Sequence, residues 1–184
     1  MDAIDRMRDE HRSIKEMLAV LETFCERSEN GEDADPEDGA SMVEFFRVYA
    51  DKFHHEKEER LIFPLLEKLG VPMAGGPLEI MLEDHEQGRA YMRGMSEALE
   101  RLQTGEAEAT GSFTQCARNY IRLLREHIKT EDDAIFDMAE MRLSAAQLEQ
   151  LAAEFATVEK VNLGEGGQGA WLVLLDRLKA VYPS

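Results

Sequence analysis

The sequence predicts an all-α chain of four long amphipathic helices followed by two shorter ones. Apolar residues recur at steps of three and four through nearly the whole length, the spacing of a buried helical stripe. Capping and turn residues fall in the gaps between those stripes, where helices must stop and start. The first 140 residues also repeat their own pattern: His11 matches His85 at an offset of 74, and His54 matches His127 at an offset of 73.

The first helix is expected at 3–27, where Ile4, Met7, His11, Ile14, Leu18 and Leu21 form one stripe. Residues 28–40, SENGEDADPEDGA, form an acidic link in which Asp35-Pro36 suits the start of a second helix at 37–69. That helix carries Phe46, Ala50, Phe53, Leu61 and Leu65 around His54. Gly70 through Pro77 separates it from a third helix at 77–103, striped by Leu78, Met81, His85, Met92, Met95, Leu99 and Leu102. A fourth, at 112–140, follows a Ser112/Gln115 capping box and carries Phe113, Cys116, Tyr120, Leu123 and His127. Ser144 with Gln147 caps a fifth at 144–161. GEGGQG at 164–169 lacks a preceding strand and a Lys-Ser/Thr, so it reads as a hinge rather than a phosphate loop. A last helix at 169–182, with Trp171, Leu174, Leu175 and Leu178, packs back on the rest. The expected organisation is a four-helix unit at 1–140 with a helical extension at 141–184.

Composition excludes several function classes. Of 184 residues, 38 are Asp or Glu and 21 Lys or Arg, so the net charge of −17 would repel nucleic acid and anionic membranes alike. Cys25 and Cys116 stand outside any CxxC spacing and no signal peptide is evident, so a cytoplasmic location is expected. No apolar run approaches the roughly 20 residues of a membrane span.

The repeat carries the chemistry. His54 is followed by Glu58, Glu59, Ile62 and Phe63, and His127 at the same offsets by Glu131, Asp132, Ile135 and Phe136. His11 follows Asp9-Glu10 with Lys15 four residues on; His85 follows Glu83-Asp84 with Arg89 four residues on. Residues four apart share a helix face, so each His-x-x-x-Glu can grip one ion. Imidazole with carboxylate suits iron, manganese or zinc, whereas calcium and magnesium ask for oxygen alone. Two such halves about a pseudo-twofold axis would bring four imidazoles and two carboxylates into one cavity, a dinuclear site.

Competing readings are weighed on the same residues. A lone histidine on an apolar stripe is ordinarily a hydrogen-bonded core residue, but four in a matched repeat, two with an inward Glu one turn on, reverse that expectation. Unpaired carboxylates in a core are costly; a metal would neutralise Glu58 and Glu131, and the alternative is a salt bridge to Lys15 or Arg89. His55 with Glu59 is displaced by about 100° from the first pair, and position 128 holds no histidine. His55 is therefore read as lying outside the ligand set, beside the site or at the surface. Tyr120 sits two turns before His127 as core or as a hydrogen-bond donor near the metal. Asp33, Asp35, Glu37 and Glu44 echo a calcium loop, but Asp38 occupies its glycine position, leaving a solvated acidic loop.

DEH at 9–11, HHEKEERLIFP at 54–64, EDH at 83–85 and HIKTEDDAIF at 127–136, in this order on four helices, closely resemble the hemerythrin-like (HHE cation-binding) domains. The resemblance covers about residues 3–140. It implies an up-down-up-down four-helix bundle holding two iron ions, Fe2+ or Fe3+, bridged by carboxylates and an oxo or hydroxo group, with zinc or manganese as substitutes. By motif, the ligands it implies are His11, His54, Glu58, His85, His127 and Glu131. Oxygen-carrying members place HxxxH on the third helix, but His85 is flanked at four residues by Met81 and Arg89. One imidazole is missing there, so a more open site is expected. The resemblance then implies a protein that binds or handles oxygen, nitric oxide or iron, with a small diatomic molecule or peroxide as its partner. The alternative is an oxidoreductase or iron–sulfur repair type of enzyme acting under peroxide, oxygen or nitric oxide stress. A metal-free helical interaction protein is the third reading.

Overall fold

The computed structural model describes residues 2–164 and 166–183, and every element in it is helical; there is no strand among the described residues. We number the helices α1 (Ala3–Asn30), α2 (36–68), α3 (Pro77–Gln103), α4 (109–142), α5 (Ala145–Asn162) and α6 (Gly167–Val181). Of the hinge expected at 164–169, Glu165 lies outside the described residues and α6 begins at Gly167.

The termini follow side-chain chemistry. Asp2 and Asp5 form a reciprocal capping box at the start of α1, each carboxylate accepting the other's backbone N–H at 2.9 and 3.1 Å. Gly31 ends that helix with φ 69°, a conformation few other residues adopt cheaply. Asp35 accepts from Glu37 N–H at 2.9 Å with Pro36 in the first turn of α2, Pro77 opens α3, and the Ser144/Gln147 box opens α5, as the sequence predicts. The box expected at Ser112 does not form: α4 starts at Ala109, which is fully buried, and no side chain caps it. Burying that residue extends the helix a turn past the polar signal.

Long stretches of α2 and α4 are not α-helical. Phe46–His55 and Glu58–Ile62 in α2, and Glu131–Ile135 in α4, are π-helical. The N–H of Glu56 bonds to Asp51 O, that of Phe63 to Glu58 O, and that of Phe136 to Glu131 O, each five residues back. An extra residue in a turn rotates everything after it by about 100° relative to an unbroken α-helix. Glu58 can therefore face inward while the adjacent Ile62 and Phe63 are both fully buried, and Glu131, Ile135 and Phe136 repeat the arrangement. Pro64, which lacks an N–H, accompanies the second π turn of α2, but no proline accompanies its counterpart in α4. Proline is thus not the common cause.

Two apolar clusters form the core. One gathers Ile14, Leu18, Phe24, Phe46, Phe53, Met95, Phe113 and Tyr120; the other Ile4, Met7, Ile62, Phe63, Leu78, Ile135, Phe136 and Phe155. Between them each of the first four helices buries polar side chains: Glu10 and His11; His54, His55, Lys57 and Glu58; His85; and His127 and Glu131. Helices α3 and α4 pack along their lengths, and α1 packs on α4. The approach of α3 to α4 is tight, because a Cβ added at Gly94 would lie 2.7 Å from Cys116 Sγ. From the C-terminal helices, Leu151 and Phe155 enter the second cluster, and Leu175, Leu178 and Tyr182 the first. Tyr182 hydroxyl donates to Asp38 at 3.0 Å and accepts the Asp35 N–H at 3.2 Å, tying the end of the chain to the start of α2. Among the described residues no helix is long and apolar enough to cross a membrane.

Candidate metal centre

The polar stretches meet in one place. His11, His54, Glu58, His85, His127 and Glu131 are all at most 1% exposed. His54 Nε2 lies 3.1 Å and His85 Nε2 3.5 Å from Glu58, while His11 Nε2 lies 3.3 Å and His127 Nε2 3.2 Å from Glu131. Each carboxylate therefore faces imidazoles from two helices. Those of His85 and His127 also face each other, Nε2 to Nε2, at 3.1 Å.

Behind each of the four imidazoles stands another carboxylate. His11 Nδ1 is 2.7 Å from Asp132, His54 Nδ1 2.8 Å from Glu10, His85 Nδ1 2.7 Å from Glu59 and His127 Nδ1 3.3 Å from Asp84. An ionised carboxylate only accepts, so each Nδ1 carries the proton and each Nε2 turns a lone pair to the centre. This is the outer support that fixes tautomer and raises basicity in metal-binding histidines. The repeat extends here too, for Asp132 and Glu59 are equivalent positions, as are Glu10 and Asp84. Lys15 reaches Asp132 at 3.2 Å and Arg89 reaches Glu59 at 2.6 Å. Phe136 stacks on His11 at 5.2 Å and Phe63 on His85 at 6.1 Å, sealing matching sides of the centre.

The charges at the centre call for a cation. Both oxygens of Glu58 and of Glu131, with Nε2 of His11 and His54, are buried without a hydrogen-bond partner. While the Nε2 atoms carry no proton, these are acceptors facing acceptors, left uncompensated by the described residues. Lys15 and Arg89 do not relieve them: Lys15 pairs with Asp132, and Arg89 with Asp51, Glu59 and Glu86. Protons are the competing occupant. Burial pushes His54 down, yet Glu58 and Glu10 override it and raise the imidazole to about 9. His127 likewise ends at about 10, with Glu131 and Asp84 overriding burial. Burial and Glu58 push Glu131 up, but His127 and His11 hold it at about 2. The donor set, two carboxylates with inward imidazoles, fits transition-metal ions, and its ligand atoms fall into two groups that share Glu58: His11, His54, Glu58 and Glu131; and His55, Glu58, His85 and His127.

His55 is the member the sequence reading leaves out. It is 5% exposed and its ring stacks on His85 at 3.9 Å. Burial first, then the neighbouring His85, lowers it to about 3, so it is a neutral donor. The sequence argument against it rests on the repeat and on the angle between neighbouring positions, yet a ring nitrogen of His55 lies within 4.8 Å of ligand atoms of Glu58, His85 and His127. A second residue without a sequence signal is Lys57, which reads as surface charge in HHEKEE. It is fully buried, donates to both oxygens of Glu10, and lies over the Phe53 ring at 3.7 Å and the Phe155 ring at 5.0 Å. Gln168 of α6 also donates to Glu10, at 3.2 Å. Tyr120 is fully buried within the first apolar cluster and its hydroxyl has no partner. A cleft of about 480 Å³ between α3 and α4, bordered by Ile80, Met81, Asp84 and Arg122, reaches His127 from outside.

Comparison with known proteins agrees with this geometry. The profile of the hemerythrin HHE cation-binding domain matches residues 2–139. Uncharacterized proteins of Mycobacterium bovis and Mycobacterium tuberculosis are 23% identical over 163 residues, covering 89% of this chain and 63% of theirs. The iron-sulfur cluster repair protein YtfE of Edwardsiella ictaluri is 25% identical over 142 residues, covering 74% of this chain and 62% of its own length. The chain thus spans less than two thirds of these relatives. No solved structure matches.

Proposed function

The chain belongs to the hemerythrin HHE cation-binding domain family, and from that premise we propose that it holds a pair of iron ions and binds or handles oxygen, nitric oxide or iron through them. The ligands are His11, His54, Glu58, His85, His127 and Glu131, with Glu58 and Glu131 bridging. The observation that carries this reading is the set of buried, partnerless atoms on Glu58, Glu131, His11 and His54. Bound there, a di-iron pair supplies one-electron redox change and a coordination position for a small diatomic ligand or peroxide; zinc or manganese would occupy the same donors without the same reactivity.

The chain's own residues set the conditions. Asp132, Glu10, Glu59 and Asp84 hold the four Nδ1 protons and orient the rings. Phe63 and Phe136 keep water from two sides, and the cleft at His127 admits a molecule of a few atoms. The supporting frame is an up-down-up-down bundle. In its favour, α1 and α3 run from the second apolar cluster through the polar stretch to the first, and α2 and α4 run the opposite way. Residues 1–140 form this unit and 141–184 an extension on it. A cytoplasmic setting accords with the free Cys25 and Cys116, and the charge of −17 weighs against nucleic-acid or anionic-membrane partners.

A second reading is enzymatic: a di-iron oxidoreductase, or a supplier of iron to damaged iron–sulfur clusters. The likeness to the repair protein YtfE favours it. Two measurements divide the readings. Iron analysis with an ultraviolet-visible spectrum in air should find two iron ions per chain and near-ultraviolet absorption; protein from iron-fed cells without transition metal would leave a metal-free interaction protein instead. Restoration of a damaged iron–sulfur protein by the iron-loaded chain, but not by its Glu131→Ala variant, would establish the repair role.

A further inference from the structure

The pseudo-twofold repeat breaks at a buried position beside the centre. His55 has Ile128 as its equivalent, and both side chains are buried. His11 and His85, His54 and His127, and Glu58 and Glu131 are matched across the axis, so the asymmetry is chemical: one half presents an imidazole where the other presents a hydrocarbon.

The surroundings of His55 are those of a ligand. A ring nitrogen of His55 and ligand atoms of Glu58, His85 and His127 all lie within 4.8 Å of one another. Its ring is parallel to His85, 12° between planes, and meets His127 edge-on at 5.5 Å. Nδ1 is buried and without a hydrogen bond. The nearest carboxylate to it, Asp51, is 3.7 Å away, beyond hydrogen-bond reach but placed as the outer carboxylates are behind the other four imidazoles. Asp51 is itself held by Arg89 at 2.8 Å. The position expected to stand open beside His85, because Met81 and Arg89 are not histidines, thus has an imidazole next to it from α2.

Resting on the di-iron reading above, we propose that His55 is a fifth imidazole ligand, given to the ion at His85 and His127, and that the two metal positions are therefore unequal. One has His55, His85 and His127 and the other His11 and His54, with Glu58 and Glu131 shared between them. Imidazole-rich positions favour later divalent ions over manganese, so the two should also differ in selectivity.

The test is stepwise titration of the metal-free full chain with Fe2+ under anaerobic conditions, and separately with Co2+, whose visible absorption reports coordination. His55→Ala removes ring and nitrogen; His55→Phe keeps an aromatic ring to stack on His85 but removes the nitrogen. Far-ultraviolet circular dichroism checks that both variants stay folded. Both should bind one ion as the wild type does and the other at least about tenfold more weakly, since losing a ligand costs no less than losing its outer partner. Added imidazole should restore the weakened step in His55→Ala. X-ray absorption of the wild-type protein should count five imidazoles over two ions, falling to four in each variant. Unchanged binding in both variants, or loss in His55→Ala that His55→Phe fully repairs, would reduce His55 to a packing role and overturn the proposal while two ions still bind. Fewer than two ions in the wild-type protein would instead overturn the di-iron reading.

Discussion

Glu58 and Glu131 each lie within 3.5 Å of two imidazole nitrogens on different helices, the placement that a carboxylate shared between two ions needs. Glu58→Ala or Glu131→Ala should weaken both ions together, by about 10- to 100-fold, in a titration followed by metal analysis; loss of one ion with the other at full affinity would mean separate mononuclear sites. Protonation sets a second expectation. His54 and His127 stand at about 9 and about 10, above the ordinary 6.5. In metal-free protein their pairing with the carboxylates contributes stability that is full below about pH 6.5 and is lost as pH rises through the folded values. Metal must displace those protons, so uptake at neutral pH should release acid, and the melting gap between metal-loaded and metal-free protein should widen from pH 6.5 to 9. A gap that narrows over that range would contradict it. The convergence of His11, His54, Glu58, His85, His127 and Glu131 is legible in sequence because four-residue spacing and an internal repeat reinforce each other. The partners behind them are visible only as repeated letters, Glu10 with Asp84 and Glu59 with Asp132, since contacts between helices leave no local spacing to read. His55 is hidden by the same repeat that reveals the rest.

The helices show the same division between local and tertiary signals. Asp35-Pro36, Pro77 and Ser144 with Gln147 mark boundaries by local chemistry and are readable as such. The start of α4 depends on burying Ala109, and the π segments depend on packing Ile62-Phe63 and Ile135-Phe136 while Glu58 and Glu131 face inward. A 3.6-residue period carries neither. The C-terminal helices are held by particular contacts that mutation can weigh. Phe155 is fully buried under Lys57 and Arg6, so Phe155→Ala should cost about 3–5 kcal/mol in denaturant unfolding. Tyr182→Phe removes two hydrogen bonds to the start of α2 and should cost about 1 kcal/mol. If Phe155→Ala changes stability by less than Tyr182→Phe, α5 is not part of the cooperative unit.

Across the molecule, two apolar clusters enclose a polar layer in which both oxygens of Glu58 and of Glu131 have no hydrogen-bond partner among the described residues. The clusters do not need metal to pack, so metal-free protein should remain helical. A ligand that binds only the folded state adds about 2.7 kcal/mol when its free concentration is 100 times its Kd, so the metal-free form should nevertheless melt earlier. Identical melting of the two forms would place the ions outside the core. The decisive measurement is iron content and X-ray absorption on the same iron-loaded sample. The arrangement of Glu58 and Glu131 predicts two iron ions per chain, about 3 to 4 Å apart, as carboxylate-bridged pairs are. One iron per chain, or two with no iron neighbour at that distance, would contradict a shared centre.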